Sequence, residues 1–293
     1  SGEPTDYDVH FGGGSQVYNV IDVRQSYLQK VVVQGLRALG YKQEAAKSIH
    51  FSYEMVALSP RSLSEIKVEL SDEDKERTFV EVSGRKGLGV KADDLIDRLE
   101  EKALAEVDKR NPDLKEAAKK LIASQIAGSA VRYFMLKYAR NSLIVFDFDE
   151  ALNFEGETGP YLQYTAVRLK SIFRKFEEKK GMTGQELFTK VADSQFDLSQ
   201  LKPEEARDFW ELVVYGSLLD EEVLRAIATL EFAGLAKFTF NLCQKINGYY
   251  HRYSVLAEQN EKLKTFRLKT IYFAHQRLNQ ALDLLGIQVP DKM

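Results

Sequence analysis

The sequence predicts a mainly α chain that opens with a partial α/β unit. That unit is read as a truncated Rossmann-like parallel sheet, followed by an α-rich connecting module and a C-terminal helical bundle. Three observations predict it. Short β-rich runs gather in the first third, with a helix-period segment between the first two. From Glu157 onward apolar residues recur at helical spacing almost without a break. The 293 residues leave room for about two domains of roughly 150 residues each.

Residues 1–14 are polar and end in Gly12-Gly13-Gly14, a flexible lead-in. The opening Ser1-Gly2-Glu3-Pro4-Thr5 has neither a Met nor an apolar stretch, so no signal peptide is read there and a cut boundary is expected. The β-branched run 17–23 predicts a buried strand, and Leu28, Val31, Val32, Gly35 and Leu39 predict a helix stopped by Gly40. Residues 49–56 read as the next strand, so the three make a parallel, right-handed βαβ unit. The charged stretch from Ser59 to Arg77 carries Pro60 and is read as a loop. Thr78–Val82 reads as a third strand.

A helix with Leu95, Ile96, Leu99, Leu104 and Val107 on one side ends at Asn111-Pro112, and helix returns from about Leu114 to Tyr138. Ile144, Phe146 and Phe148 then alternate with Val145, Asp147 and Asp149, which predicts a short extended piece. Beyond it, Leu162, Thr165, Leu169, Ile172, Phe173 and Phe176 form the seam of a first bundle helix. Long helices are expected at about 203–218, 221–250 and 262–285, the last ended by Gly286 and Pro290.

Composition excludes several classes. The charge is balanced, 41 Lys+Arg against 44 Asp+Glu, a net −3 that argues against a nucleic-acid partner if taken as an average. With one cysteine there is no disulfide scaffold and no multi-Cys metal site. Cys243, set among Phe240, Leu242 and Ile246, reads as a core residue, and a reducing cytoplasm fits. No stretch approaches 18 apolar residues, so no membrane span or membrane partner is expected. The four histidines have no metal-ligand spacing, and neither GxSxG nor HExxH occurs. His50 reads as a packed strand histidine. Asp147 and Asp149 make a poor acid/base couple, and no bound metal is expected.

Two constellations could carry chemistry. Ser83–Lys91 holds three glycines and three cations in nine residues directly after a strand, a composition that can cradle phosphate but that also suits a plain turn. The helical half holds the other. From Asn241 to Gln280 there are seven Lys/Arg against two acids, interleaved with Tyr249, Tyr250, Tyr253, Phe266, Tyr272 and Phe273. From Tyr161 to Lys180 there are six cations and two acids, with Tyr161, Tyr164, Arg168 and Lys175 assigned to one face. Cations beside rings suit single-stranded RNA, and an ordinary basic surface over core aromatics gives the same pattern. Gln25 is unremarkable by composition alone.

Several segments together resemble arginyl-tRNA synthetase, a class I aminoacyl-tRNA synthetase. Glu81-Val82-Ser83-Gly84-Arg85-Lys86-Gly87-Leu88-Gly89-Val90 is similar to the family's variant of the KMSKS loop. Phe154-Glu155-Gly156-Glu157-Thr158-Gly159-Pro160-Tyr161-Leu162-Gln163-Tyr164, with Arg168, resembles its FEGxTxPYLQYAxxR junction. Asn247-Gly248-Tyr249-Tyr250-His251 resembles its FNxFYH segment, and Asp283-Leu284-Leu285-Gly286-Ile287 with Pro290 and Met293 its C-terminus. Val20–Gln25 resembles the strand before its arginine-site Gln. Two departures stand out. Glu81 and Gly84 occupy the positions of the two KMSKS lysines, and no His-x-Gly-His occurs anywhere in the chain.

The resemblance implies the C-terminal portion of an arginine–tRNA ligase, without the HIGH-containing first half of its catalytic domain. It implies a lead-in over 1–14, the second half of the catalytic domain over 15–90, a connecting stem-contact module over 91–156 and a helical anticodon-binding domain over 157–293. Its implied partners are ATP with Mg2+, arginine and tRNA-Arg. Arg85 and Lys86 would be catalytic, and Ser83, Gly84, Arg85, Lys86 and Gly87 would hold ATP. Gln25 would contact arginine. Tyr164, Arg168, Asn247, Tyr250, Arg267 and Met293 would face the anticodon. The full-length form is expected to be a monomer, and the chain alone to bind tRNA without charging it. An unpaired edge strand near residue 17 would leave poor order around residues 1–16 or invite edge association. The alternative is a stand-alone helical RNA-binding or interaction module without catalysis.

Overall fold

The structure, a computed structural model, describes residues 13–81, 90–190 and 196–293. The loop residues Ser83, Gly84, Arg85, Lys86 and Gly87 and most of the expected lead-in lie outside the described residues. The chain divides into two units. One takes in the described residues up to Met55 together with Arg140–Leu143. The other takes Val56–Ala139 and Ile144–Met293.

In the first unit, strand β1 (Val17–Asp22) leads through one 3-10 turn into helix α1 (Ser26–Ala38), short helix α2 (Lys42–Ala46) and strand β2 (Ser48–Tyr53). β1 and β2 pair in parallel from Val17↔Ser48 to Asp22↔Tyr53, as a βαβ unit requires. Gly40, at φ 93°, makes the turn after α1 that the sequence predicts. The His50 imidazole Nε2 lies 2.9 Å from the Ile21 carbonyl oxygen of the neighbouring strand, a packing role.

The second unit opens with strand β3 (Val56–Leu58), which pairs in parallel with β4 (Ile144–Phe146). The strands therefore form two separate two-stranded sheets. The loop expected over Ser59–Arg77 instead holds helices α3 (Pro60–Glu65) and α4 (Asp72–Lys75). Pro60 starts α3 rather than breaking it. Its missing N–H falls where a helix leaves donors unpaired, and the Ser59 side chain caps the end by accepting from the Ser62 N–H. Of the strand expected at Thr78–Val82, Val80 makes a single antiparallel bridge with Leu58.

Helices α5 (Ala92–Arg110) and α6 (Glu116–Leu136) form a hairpin between β3 and β4, with Leu99, Ala103 and Val107 buried on α5. The extended piece ends at Phe146, because Asp147 caps the short helix α7 (Phe148–Ala151) by accepting from the Asp149 and Glu150 N–H groups. Burial alone would raise the Asp147 carboxyl. A hydrogen bond from Ser59 and the two backbone donors hold it below the usual carboxylate range.

The bundle is built from α8 (Gly159–Lys180), α9 (Gly184–Lys190), α10 (Pro203–Ser217), α11 (Leu219–Thr229), α12 (Ala233–Arg252) and α13 (Glu261–Leu284). Its core joins Leu162, Ala166, Leu169 and Phe173 of α8 to Leu242 and Ile246 of α12 and to Leu278 of α13. Cys243 is fully buried in it, and burial pushes its thiol far up, so it stays a neutral core residue. The single helix expected over 221–250 is two, because Leu230 takes a left-handed conformation at φ 55° and ends α11.

Candidate nucleic-acid interface

Helix α8 sets the interface. Thr158 caps its start by accepting from the Tyr161 N–H, Pro160 fits its first turn, and Gly181 at φ 62° closes it. Leu162, Ala166, Leu169, Phe173 and Phe176 recur at helical spacing and face the core. That leaves Tyr164 and Arg168, one turn apart, on the outer side, and Tyr164 keeps 42% of its surface. The Arg168 guanidinium lies 4.4 Å above the Tyr250 ring of α12, and its Nη1 lies 3.4 Å from the His251 Nε2. Tyr164 and His251 are exposed and Arg168 and Tyr250 partly so, and together they form a patch of two phenol rings, an imidazole and a guanidinium on the outer side of the α8–α12 seam. Such a patch can stack on unpaired bases and attract phosphate. In the sequence His251 stands out only as part of a motif. Its position beside Arg168 depends on the α8–α12 contact.

Other expected residues sit elsewhere. Tyr161, placed on the same stripe, is half-buried against Phe240 and accepts from the Asn247 Nδ2 at 3.1 Å. Asn247 also donates to Thr165 Oγ1 at 3.0 Å, so both amide hydrogens tie α12 to α8 and its part is to position. Arg267, expected to face RNA, is only 7% exposed. Its Nε and Nη2 donate to the two carboxylate oxygens of Glu205 at 2.6 and 2.8 Å, and Nη1 donates to the Ser254 carbonyl and to Glu258. The Glu205 hydrogen bonds raise the guanidinium's already high pKa against the opposing effect of burial. Four of its five N–H donors are engaged inside the bundle and the side chain is enclosed, so the assignment of Arg267 to the RNA-facing surface is corrected. Met293 is partly exposed. It packs against the cluster of Ala103, Val107 and Ile122 on the α5–α6 hairpin.

The basic stretch 241–280 is recast by the same geometry. Glu205, Asp208 and Glu211 lie three residues apart along α10 and pair with Arg267, Arg252 and Lys245. Lys264 pairs with Glu261, and Arg277 with Asp220. Most of the local positive charge is therefore answered by acids, chiefly from a neighbouring helix, and counting along one stretch of chain overstates what faces solvent. The signal is present in the sequence as an acidic row at i, i+3 and i+6.

Gln25 ends the 3-10 turn that follows the C-terminal end of β1 and is exposed, a place where parallel sheets offer side chains to ligands. Among the described residues no cluster of His, Cys, Asp or Glu could hold a metal ion, and no helix is long and apolar enough to cross a membrane.

The helical bundle that carries the patch at the α8–α12 seam matches an anticodon-binding class of domain. Residues 162–293 match the family described as DALR anticodon binding domain. Over 285 residues the chain is 33% identical to the arginine–tRNA ligase of Pyrococcus furiosus, an alignment covering 97% of this chain and 41% of that protein. Its fold matches the solved arginyl-tRNA synthetase of Thermus thermophilus at TM-score 0.71 and 30% identity, over 95% of this chain and 41% of that one. The Plasmodium falciparum arginyl-tRNA synthetase, 20% identical over 95% of this chain and 41% of that one, shares the fold at TM-score 0.64. Over the residues it spans, the chain belongs with the arginyl-tRNA synthetases. It spans about two fifths of the length of these relatives.

Proposed function

We propose that this chain is the anticodon-reading and loop-bearing part of an arginine–tRNA ligase, which activates arginine with ATP and transfers it to the 3′ end of tRNA-Arg. The observation that carries the reading is the patch of Tyr164, Arg168, Tyr250 and His251 within a bundle matching an anticodon-binding family. In this reading Tyr164 offers a ring face to an unstacked anticodon-loop base, and Arg168, seated over the Tyr250 ring, supplies charge for the adjacent phosphates while Tyr250 holds it in place. Asn247 holds the two helices in register.

The catalytic share rests on the sequence. Ser83, Gly84, Arg85, Lys86 and Gly87 would hold ATP, arriving with Mg2+, and Arg85 and Lys86 would stabilise the negative charge that develops on the pyrophosphate. Gln25, at the end of a parallel strand, would contact the arginine. Edge association near β1, the monomeric state of the longer protein and a cytoplasmic location belong to the same proposal. The missing His-x-Gly-His supports a chain that binds tRNA without charging it. Arginine-dependent ATP–pyrophosphate exchange by this chain alone would overturn that part.

Binding is tested with tRNA-Arg transcripts across a salt series. Tyr164→Ala with Arg168→Ala is expected to weaken binding about tenfold or more, since one stacked base is worth about 1–3 kcal/mol. The salt slope should fall by about 1 if Arg168 answers a phosphate. Unchanged affinity would refute the patch assignment.

A further inference from the structure

The face of the bundle formed by α11 and α13 lies outside the RNA patch and has no assigned role. Val223, Leu224 and Ile227 recur along α11 at helical spacing, and Leu224 and Ile227 are 66% and 64% exposed. Leu284 on α13 is 55% exposed, and together with Leu219, Val223 and Leu224 it lines a groove of about 510 Å³. Single exposed leucines are ordinary, but a continuous stripe on two adjacent helices marks a contact surface. Asp220 and Asp283 also line the groove, and Glu221 lies exposed beside Asp220. Arg277 answers Asp220 at 3.5 Å from outside the groove, and none of the lining residues is itself a cation, so Asp283 and Glu221 carry the rim's surplus negative charge.

We propose that this groove docks an amphipathic helix of a partner protein that carries aliphatic residues at i, i+3, i+4 and i+7 and Lys or Arg on its flanks. Two adjacent helices with an apolar floor give a third helix a seat of the right shape. The acidic rim selects the occupant. It repels RNA phosphate, so the face does not extend the tRNA site. In a two-fold contact with a second copy, the same acids would return from the other side, so self-association is disfavoured. A basic amphipathic helix satisfies both floor and rim.

Fluorescence anisotropy tests this with the whole chain and a labelled amphipathic peptide of about five helical turns, leucine on its apolar face and lysine on both flanks. A second peptide carries glutamate in place of lysine. The lysine peptide is expected to bind at least about tenfold more tightly than the glutamate peptide. Leu224→Ser with Ile227→Ser should remove that binding, and Asp220→Lys with Asp283→Lys should reverse the preference. Both pairs change exposed side chains, and the charge reversal keeps the test decisive if the serine pair loses helicity by circular dichroism. Equal binding of the two peptides, or binding indifferent to both variants, would overturn the proposal. So would a concentration-dependent dimer of the unaltered chain that the serine pair abolishes.

Discussion

Replacing Arg267 separates an enclosed structural role from an RNA-facing one. Its partner Glu205 is itself only 3% exposed. In Arg267→Ala the carboxylate would keep its burial and lose the guanidinium that answers both its oxygens at 2.6 and 2.8 Å. Stranding one member of a buried pair costs about 3–5 kcal/mol. The lost bond to the Ser254 carbonyl adds little, because Ser254 is exposed and water can take the donor's place. For a unit of this size each kcal/mol moves the midpoint by about 2–4 °C, so the pair alone predicts a fall of about 6–20 °C in Tm. The assay is thermal and urea unfolding of the parent, Arg267→Ala, Glu205→Ala and the double variant. Replacing both partners with well-packed apolar groups, as in Arg267→Met with Glu205→Leu, should recover much of the loss, because neither charge is then left buried. A single variant that melts within about 2 °C of the parent, less than the smallest shift worked above, but binds tRNA far more weakly would refute the reasoning. It would restore Arg267 to the RNA surface.

Three further outcomes are expected on the same physical grounds. Gly159→Ala would drive a Cβ into the Ser129 carbonyl oxygen and to 2.7 Å from its Oγ, so α8 must shift from α6, with a loss of about 1–3 kcal/mol measured by urea unfolding. His275 is held low, to about 4, by burial and then by the charge of Lys170. Because the unfolded chain takes up its proton at a higher pH than the folded one, the contribution is complete above the unfolded pKa of about 6.5 and falls away as pH drops from there to about 4. His275→Asn should flatten that part of a stability-against-pH curve, and an unchanged slope would count against it. Gln163 donates to the Gln125 and Gln288 carbonyls, at 2.9 and 2.6 Å. Gln163→Leu strands both acceptors, and residues 287–293 should then lose hydrogen-exchange protection and become open to carboxypeptidase.

Legibility in the sequence divides along a physical line. Features set by near neighbours in the chain are legible. The α8 seam, the stop at Gly40, the order and parallel pairing of β1–α1–β2 and the buried state of Cys243 all come from periodicity or local composition, but the burial expected of β1 is corrected, since Val17, Tyr18 and Val20 are exposed. Features set by distant partners are not. Lys245, Arg252 and Arg267 read as a basic stripe until α10 brings three acids against them. Tyr161 and Tyr164 look alike three residues apart, yet one is held by Asn247 while the other faces outward. Pro60 reads as a breaker because a proline that ends a helix and one that starts it differ only in the residues on either side, and Ser59 is the available clue.

The parallel pairing of β3 with β4 bears on how this family can change. The chain leaves the pair after Leu58 and re-enters it at Ile144, and Ser59 Oγ donates across that gap to Asp147 Oδ2 at 2.7 Å. The long excursion between them thus begins and ends in strands about 4.8 Å apart. Closing a loop grows dearer only slowly with its length, by about 0.6 kcal/mol for each doubling. Lengthening or shortening the connections of the intervening α5–α6 hairpin would therefore perturb the strand frame little. Evolution could adjust the reach of that hairpin without redesigning the strand pair that anchors it.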